Sequence, residues 1–363
     1  MTLGLYLARR FALSFLAVLA VFVGLMMLID MVEQVRRFET VGITLARAAG
    51  LAALNVPSTI YGILPLIVVL AAVAMFLALA RSSELVVIRA AGRSGVRAVV
   101  PPALSAMAIG VVAVAVLNPI VAGTSRQYDA ETARLLRGGA NVLSVSGEGL
   151  WLREAGAGRQ SVIRAASTNP DGTLLRDVTF IAFADGTPVE RIAAAEAQLA
   201  PGAWHLRDAK VWDLTAPNPE ASASRHPEFV RPSTLTANQI RDSFGAPSAI
   251  PIWDLPGFIA QLEAAGFSAR RHRVWLQMEL AAPLLYASMV IIGAAFTMRH
   301  SRLGQTGQMV LLAILAAFGL FFLRNFAQVL GDNGQIPVAL AAWSPPVAAL
   351  LLGAGILLQR EDG

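Results

Sequence analysis

The 363-residue chain has no cysteine. It can form no disulfide, offers no thiol nucleophile and binds no metal through sulfur, so any part facing an oxidising compartment folds on packing alone. Charge is also scarce: Asp, Glu, Lys and Arg make up 15% of the residues, against about 25% in ordinary soluble domains. Lys210 is the single lysine, and the net charge of +5 rests on arginine. The delocalised, weakly hydrated guanidinium suits phosphate and carboxylate partners, which points to anionic headgroups as ligands. The chain has no G-x-x-x-x-G-K-[ST] loop and no H-E-x-x-H, and its four histidines, at 205, 226, 272 and 300, are scattered without a serine at readable spacing. Nucleotide-phosphate binding in the usual loop and the common hydrolytic centres therefore have no residues to carry them. The chain reads as a transport or scaffold protein, not an enzyme. Active transport by it would draw on an ion gradient or a partner ATPase.

What the sequence has in place of charge is apolar length. With 56% apolar residues and a mean hydropathy of +0.60, it contains six uncharged stretches of the roughly 20 residues that cross a bilayer as a helix. The first, FALSFLAVLAVFVGLMMLI, lies between Arg10 and Asp30; the second runs from Ala48 to Ala80 and the third from Ala98 to Ser125. Leu280 to Met298, Leu303 to Leu323 and Asn333 to Gln359 complete the set. The first reads as an anchor and not a signal peptide, because Asp30-Met31-Val32-Glu33 follows it in place of a small-residue cleavage site. The interval from about Arg126 to Arg273 holds more than half of all charges. This predicts three spans in 1–125, an inserted extramembrane domain in 126–270 and three spans in 271–363.

Arginines in short loops are retained on the cytoplasmic side. Arg9 and Arg10, then Arg81, Arg89, Arg93 and Arg97, then Arg299 and Arg302, and finally Arg360 all fall on one face of the six-span order. Both termini are thus expected in the cytoplasm and the inserted domain on the far side, in the periplasm of a two-membrane cell. Arg36, Arg37 and Arg47 are the exceptions on the translocated side.

The inserted domain reads as β. Ser144–Arg153, Ser161–Ala165, Leu175–Ala184, Val189–Leu199 and Trp204–Leu214 are short runs with branched or aromatic content, separated by Asn169-Pro170-Asp171-Gly172, Asp185-Gly186 and Pro201-Gly202. The spacing fits a hairpin meander. Within Leu175–Ala184, Val178, Phe180 and Ala182 share one face, and Ile181 and Phe183 share the other. Such a strand is either covered on both faces or leaves one to line an apolar groove. Pro217 to Pro232 reads as a loop. A short helix is predicted over about 255–265, capped by Asp254, with Phe258, Ile259 and Leu262 inside and Gly266 beyond its end.

Between spans two and three, Arg81-Ser82-Ser83-Glu84-Leu85-Val86-Val87-Ile88-Arg89-Ala90-Ala91-Gly92 predicts a short amphipathic helix over about 83–92. Ser83 is suited to cap it, Glu84 to its positive end, and Gly92 to stop it in a left-handed conformation. Fixed at both ends to membrane rods, it can pass a push from a bound motor into the membrane; the plainer alternative is a basic connecting loop.

Four stretches carry a resemblance to a known family: Asp30-Met31-Val32-Glu33-Gln34-Val35-Arg36-Arg37, Ser83-Glu84-Leu85-Val86-Val87-Ile88-Arg89-Ala90-Ala91-Gly92, Ala281-Ala282-Pro283-Leu284, and Ile336-Pro337-Val338-Ala339-Leu340-Ala341-Ala342-Trp343-Ser344-Pro345. With the six-span order around a central domain, the chain resembles the YjgP/YjgQ permeases, the LptF and LptG membrane subunits of the lipopolysaccharide export ABC transporter, and is more like the LptG branch. The resemblance implies a heterodimer with an LptF subunit, two copies of the ATPase LptB beneath it, an adjacent LptC, and a β-jellyroll-like domain, roughly 126–250, that starts a periplasmic bridge. It implies no cofactor on this chain, ATP being used by LptB. By the same resemblance Ser83, Glu84, Leu85, Ile88, Arg89 and Gly92 form the ATPase coupling helix, with Glu84 and Arg89 as its polar contacts. Arg36 and Arg37 become ligand contacts at the cavity rim, since a guanidinium meeting a lipopolysaccharide phosphate away from water makes a bidentate, charge-assisted bond; snorkelling at a helix end is the alternative. Arg324 is a second rim candidate, with Asp332 as a competing partner. Asp30 and Glu33 oppose an anionic ligand unless they are paired, and Glu279 suits either a helix terminus or a subunit contact. Two other readings stay open: an LptF-like paralogue, and a mechanotransmitting scaffold that does not itself pass lipid. A secondary transporter is disfavoured for want of a central carboxylate in the spans.

Overall fold

The computed structural model describes residues 2–39, 43–92, 94–136, 143–146, 149–156, 159–169, 172–184, 186–233, 235–236, 240, 246–264, 267–298 and 306–361. The chain divides into two compact units: Met1–Glu131 with Ser248–Trp253 and Arg270–Gly363, and Thr132–Pro247 with Asp254–Ala269.

The first unit is helical. Helix α1 covers Thr2–Arg37, α2 Leu45–Arg81, α3 Glu84–Ala90 and α4 Gly95–Val112. A π-helical turn, Ala113–Leu117, joins α4 to α5, Asn118–Leu136. After the inserted unit, which contains α6 (Leu255–Ala264), come α7 (Arg270–Thr297), α8 (Thr306–Asp332) and α9 (Val338–Glu361). Among the described residues, six rods are long and apolar enough to cross a membrane: α1, α2, the α4–α5 rod, α7, α8 and α9. The gaps between charges place the same six.

These helices are unequally enclosed. The most apolar window of α7 is 72% buried and that of α2 61%, against 6% for α1 and 17% for α8. Helix α7 packs on α2, α4, α8 and α9, and small residues set how closely. A Cβ at Gly110 in α4 would stand 2.6 Å from the Cα of Pro283 in α7; only glycine lets the two backbones approach so far, the usual device where lipid gives helices no hydrophobic drive to associate. Phe11, Ile67, Met75, Phe76, Leu79 and Val290 fill the interior. Leu13, Leu16, Val21 and Leu28 on α1, and Leu315, Phe322 and Phe326 on α8, stay exposed.

Among its described residues the second unit holds one antiparallel sheet of eight strands: β1 Leu143–Ser146, β2 Gly149–Gly156, β3 Arg159–Ala165, β4 Ser167–Thr168, β5 Leu174–Ala184, β6 Thr187–Ala200, β7 Ala203–Asp213 and β8 Ser224–Pro232. Their order is sequential, β1-β2-β3-β5-β6-β7-β8, with β4 beside β5. This is the all-β insert expected, joined as a meander. Two details correct the sequence reading. Ser144–Arg153 is not one strand but parts of two, β1 and β2, paired through Ser146 and Gly149. The segment read as a loop from Pro217 ends in β8, an edge strand; its Pro227 lies opposite Asp208, a pair missing from the ladder, so the absent N–H costs no hydrogen bond. Asp208 itself adopts φ 53°.

Val178, Phe180 and Ala182 are buried, as are Ile163, Ile192, Trp204 and Leu206 from neighbouring strands. Phe180 and Trp204 meet edge to face at 6.0 Å between centroids. Ile181 and Phe183, on the opposite face, are half-buried. Helix α6 begins where Asp254 O accepts from Phe258 N at 3.0 Å and buries Leu255, Ile259 and Leu262, while Phe258 is half-buried. Gly266 lies outside the described residues.

Candidate functional site

The last turns of α1 carry the first polar cluster. Asp30 accepts from Asn55 Nδ2 at 2.7 Å and from Gln34 Nε2 at 3.4 Å. The same Gln34 amide nitrogen, on a buried side chain, donates to Tyr128 Oη at 2.9 Å. Arg37 Nη1 donates to Tyr128 Oη at 3.2 Å and its guanidinium lies 5.6 Å from the centroid of the buried Phe38 ring. Arg36 pairs with Glu33 at 2.9 Å, and its side chain is 76% exposed. Glu33 is therefore charge-paired, whereas Asp30 is hydrogen-bonded to two neutral amides and keeps its negative charge. Asp30 is used to tie α1 to α2, and Glu33 is held by Arg36. An exposed ion pair of this kind contributes roughly 0–1 kcal/mol, so a phosphate can displace Glu33 at little cost. The arrangement presents two guanidiniums at the end of the least enclosed span, one of them anchored by a tyrosine and a phenyl ring.

Arg324 has a different setting. Its charge acts on Glu279 and Tyr286, while Asp332 feels the charge of Arg271. An Arg324–Asp332 pair is not found among the described ion pairs, and the half-buried guanidinium lies within electrostatic range of Glu279. Glu279 is 2% exposed and accepts a short hydrogen bond from the Tyr61 hydroxyl. The Asn118 amide bonds to the same pair, and its Oδ1 accepts from the Ile252 N–H at 2.9 Å. One residue on, Trp253 Nε1 donates at 3.1 Å to the carbonyl of Ala115, inside the π-helical turn, where the i−4 ladder is interrupted. This buried network joins α2, α5, α7 and the segment Ser248–Trp253. Sequence reasoning noted Glu279 but not Tyr61 or Asn118; the available signal was a carboxylate at the head of an apolar span, which is costly unless partnered.

At the other end of α1, α3 forms as predicted, though its contacts differ from expectation. Leu85 and Ile88 are buried against the helical core, so the outward side shows Val86 and Val87. Ser83 does not take the extended geometry of an N-cap: it has φ 60°, an uncommon value for a non-glycine residue, and its backbone carbonyl accepts from Val86 and Val87. Gly92 has the expected left-handed φ of 75°. The side chain of Arg89 lies outside the described set. Glu84 is held within the chain: Arg10 Nη1 reaches its two oxygens at 2.7 and 2.8 Å, Tyr6 Oη donates at 2.7 Å and Ser82 Oγ at 2.8 Å. Partial burial raises the proton affinity of Glu84, but the hydrogen bonds from Tyr6, Ser82 and Arg10 and the Arg10 charge outweigh it and hold the carboxyl below its ordinary range.

A depressed carboxylate contributes stability above its unfolded pKa and loses it as pH falls through the lower folded value. The Arg10–Glu84 clamp should therefore persist at neutral pH and fade in acid. A double-mutant cycle with Arg10→Gln and Glu84→Gln, read by thermal unfolding, should give a coupling of at most about 1 kcal/mol for this partly exposed pair. That coupling should vanish as the solution is acidified through the carboxylate range. A coupling independent of pH would contradict the assignment.

Comparison with known proteins agrees with this architecture. The family described as "Lipopolysaccharide export system permease LptF/LptG" matches residues 5–360. The lipopolysaccharide export system permease protein LptG of Escherichia coli (strain K12) is 24% identical, over 98% of this chain and 98% of its own length. The LptG protein of Haemophilus influenzae (strain ATCC 51907 / DSM 11121 / KW20 / Rd) is 22% identical over 99% of both. With six spans around an inserted antiparallel sheet and a family match running almost from end to end, the chain belongs to the LptF/LptG permease family.

Proposed function

We propose that this chain is an LptG-type permease subunit of an ABC transporter that extracts lipopolysaccharide from the inner membrane and passes it to a periplasmic bridge towards the outer membrane. The observation that carries the reading is the pair Arg36–Arg37 at the end of α1, beside a span left almost wholly open. Apolar spans that stay exposed in one chain meet lipid or other protein, and two guanidiniums at headgroup level match the phosphates of a bulky anionic lipid. In this reading both termini are cytoplasmic and the β unit is periplasmic. An LptF-like subunit completes the cavity, with LptC beside it.

The chain itself performs no hydrolysis and binds no cofactor. Two LptB ATPases act under α3, whose outward Val86 and Val87 offer an apolar contact, while the Arg10–Glu84 clamp ties α3 to α1. A push on α3 is thereby delivered to the span that carries Arg36 and Arg37.

The test is purification of the tagged chain from its native membrane in mild detergent, with protein and lipid mass spectrometry on one sample. An LptF-like chain, an ATPase and lipopolysaccharide recovered together support export. An ATPase recovered without lipopolysaccharide, even with hydrolysis blocked, supports the mechanotransmitting scaffold instead. Recovery of neither removes the proposal.

A further inference from the structure

Helices α4, α7 and α9 enclose a groove of about 320 Å³ lined throughout by apolar side chains, among them Val96, Leu104 and Met107 of α4, Ala287 and Ile291 of α7 and Ala354 of α9. From Val96 to Met107 a helix rises about 16 Å, so the volume corresponds to a cross-section of about 20 Å². That is the section of one extended hydrocarbon chain. A helix with its side chains, about 10 Å across, needs roughly four times as much.

The groove has a charged end. Arg97 follows Val96 and lies on the same face as Leu104, two turns further along α4. Its side chain is exposed, and it makes no ion pair among the described residues. The backbone here is the N-terminal turn of α4, capped by Ser94 Oγ, which accepts from Arg97 N at 3.3 Å. The guanidinium and the positive first turn of α4 meet the negative C-terminal turn of α9 at this end, so the net attraction for an anion rests on the Arg97 charge.

We infer that this groove binds a membrane phospholipid with an anionic headgroup, one acyl chain lying along α4 between α7 and α9 and the phosphate on Arg97. Such a lipid would replace the missing packing on three spans. It is distinct from the transported lipid, and the inference depends on the six spans alone and not on the export reading.

Native mass spectrometry of the full chain, released from micelles containing equal phosphatidylglycerol and phosphatidylcholine, tests this. One basic residue near a headgroup is worth about fivefold in selection, so retained phosphatidylglycerol should exceed phosphatidylcholine by about that factor. Arg97→Gln should abolish the preference while leaving a lipid bound. Ala354→Phe, which fills the groove from a half-buried position, should remove the retained lipid. Leu315→Phe, on the exposed face of α8, should change neither. Should Ala354→Phe fail to fold, a Leu104→Trp reporter in nanodiscs should be quenched more strongly by brominated phosphatidylglycerol than by brominated phosphatidylcholine, and equally by both once Arg97 is glutamine. Equal retention of the two lipids, a preference that survives Arg97→Gln, or displacement of the bound lipid by lipopolysaccharide would overturn the inference.

Discussion

Replacing Arg36 and Arg37 together with glutamate is expected to cut lipopolysaccharide release from reconstituted membranes by at least about tenfold. Each charge-assisted hydrogen bond contributes about 1.5–3 kcal/mol, and about 1.4 kcal/mol is a factor of ten; loss of one phosphate contact suffices, before repulsion is counted. The fold should tolerate the change, because among the described residues Arg36 pairs with its helix neighbour Glu33 on an exposed surface and a glutamate at 37 can accept from the Tyr128 hydroxyl that Arg37 now donates to. Lysine at both positions should restore part of the activity, since it keeps the charge but loses the planar fork. ATP hydrolysis by the assembled transporter should continue in the glutamate variant. Near-normal lipid release from that variant would leave the scaffold reading standing and remove the ligand role of the two arginines.

Glu279→Ala is expected to destabilise the helical unit by about 1–3 kcal/mol for each buried group left without its hydrogen-bond partner. The residue is 2% exposed and its loss takes away the hydrogen-bond partner of the Tyr61 hydroxyl and the Asn118 amide. Glu279→Gln keeps hydrogen-bonding capacity and should cost about 1–2 kcal/mol, in line with hydrogen bonds between membrane helices. Thermal unfolding of the purified chain in detergent measures both. An alanine variant as stable as the parent would show that water or lipid satisfies the network.

The six spans were legible because a bilayer demands runs of about 20 apolar residues and each run here is bounded by charges. The meander was legible through its turns, and Gly92 through its position past the end of a helix. The hairpin of β1 and β2 was not, since apolar residues continue on both sides of Ser146 and Gly149. Nor was β8, whose Pro227 is accommodated at a sheet edge opposite the irregular Asp208. At the candidate site, Arg36 and Arg37 announced themselves by breaking the charge bias. The partners of Glu84 could not be read, because Tyr6 and Arg10 are separated from it by more than 70 residues. The same holds for Glu279, whose partner Tyr61 is 218 residues away. Polarity patterns show which residues leave water; pairing across such distances is set by helix packing, which depends on close approaches such as Gly110 to Pro283.

The most direct test of the account is a transfer assay. The chain is reconstituted in lipopolysaccharide-loaded proteoliposomes with its paralogue and the ATPase, and lipopolysaccharide reaching an external acceptor is followed with and without ATP. The account predicts transfer that requires ATP and this chain together, and that falls with the charge of residues 36 and 37. Steady ATP hydrolysis with lipopolysaccharide remaining in the bilayer would contradict it.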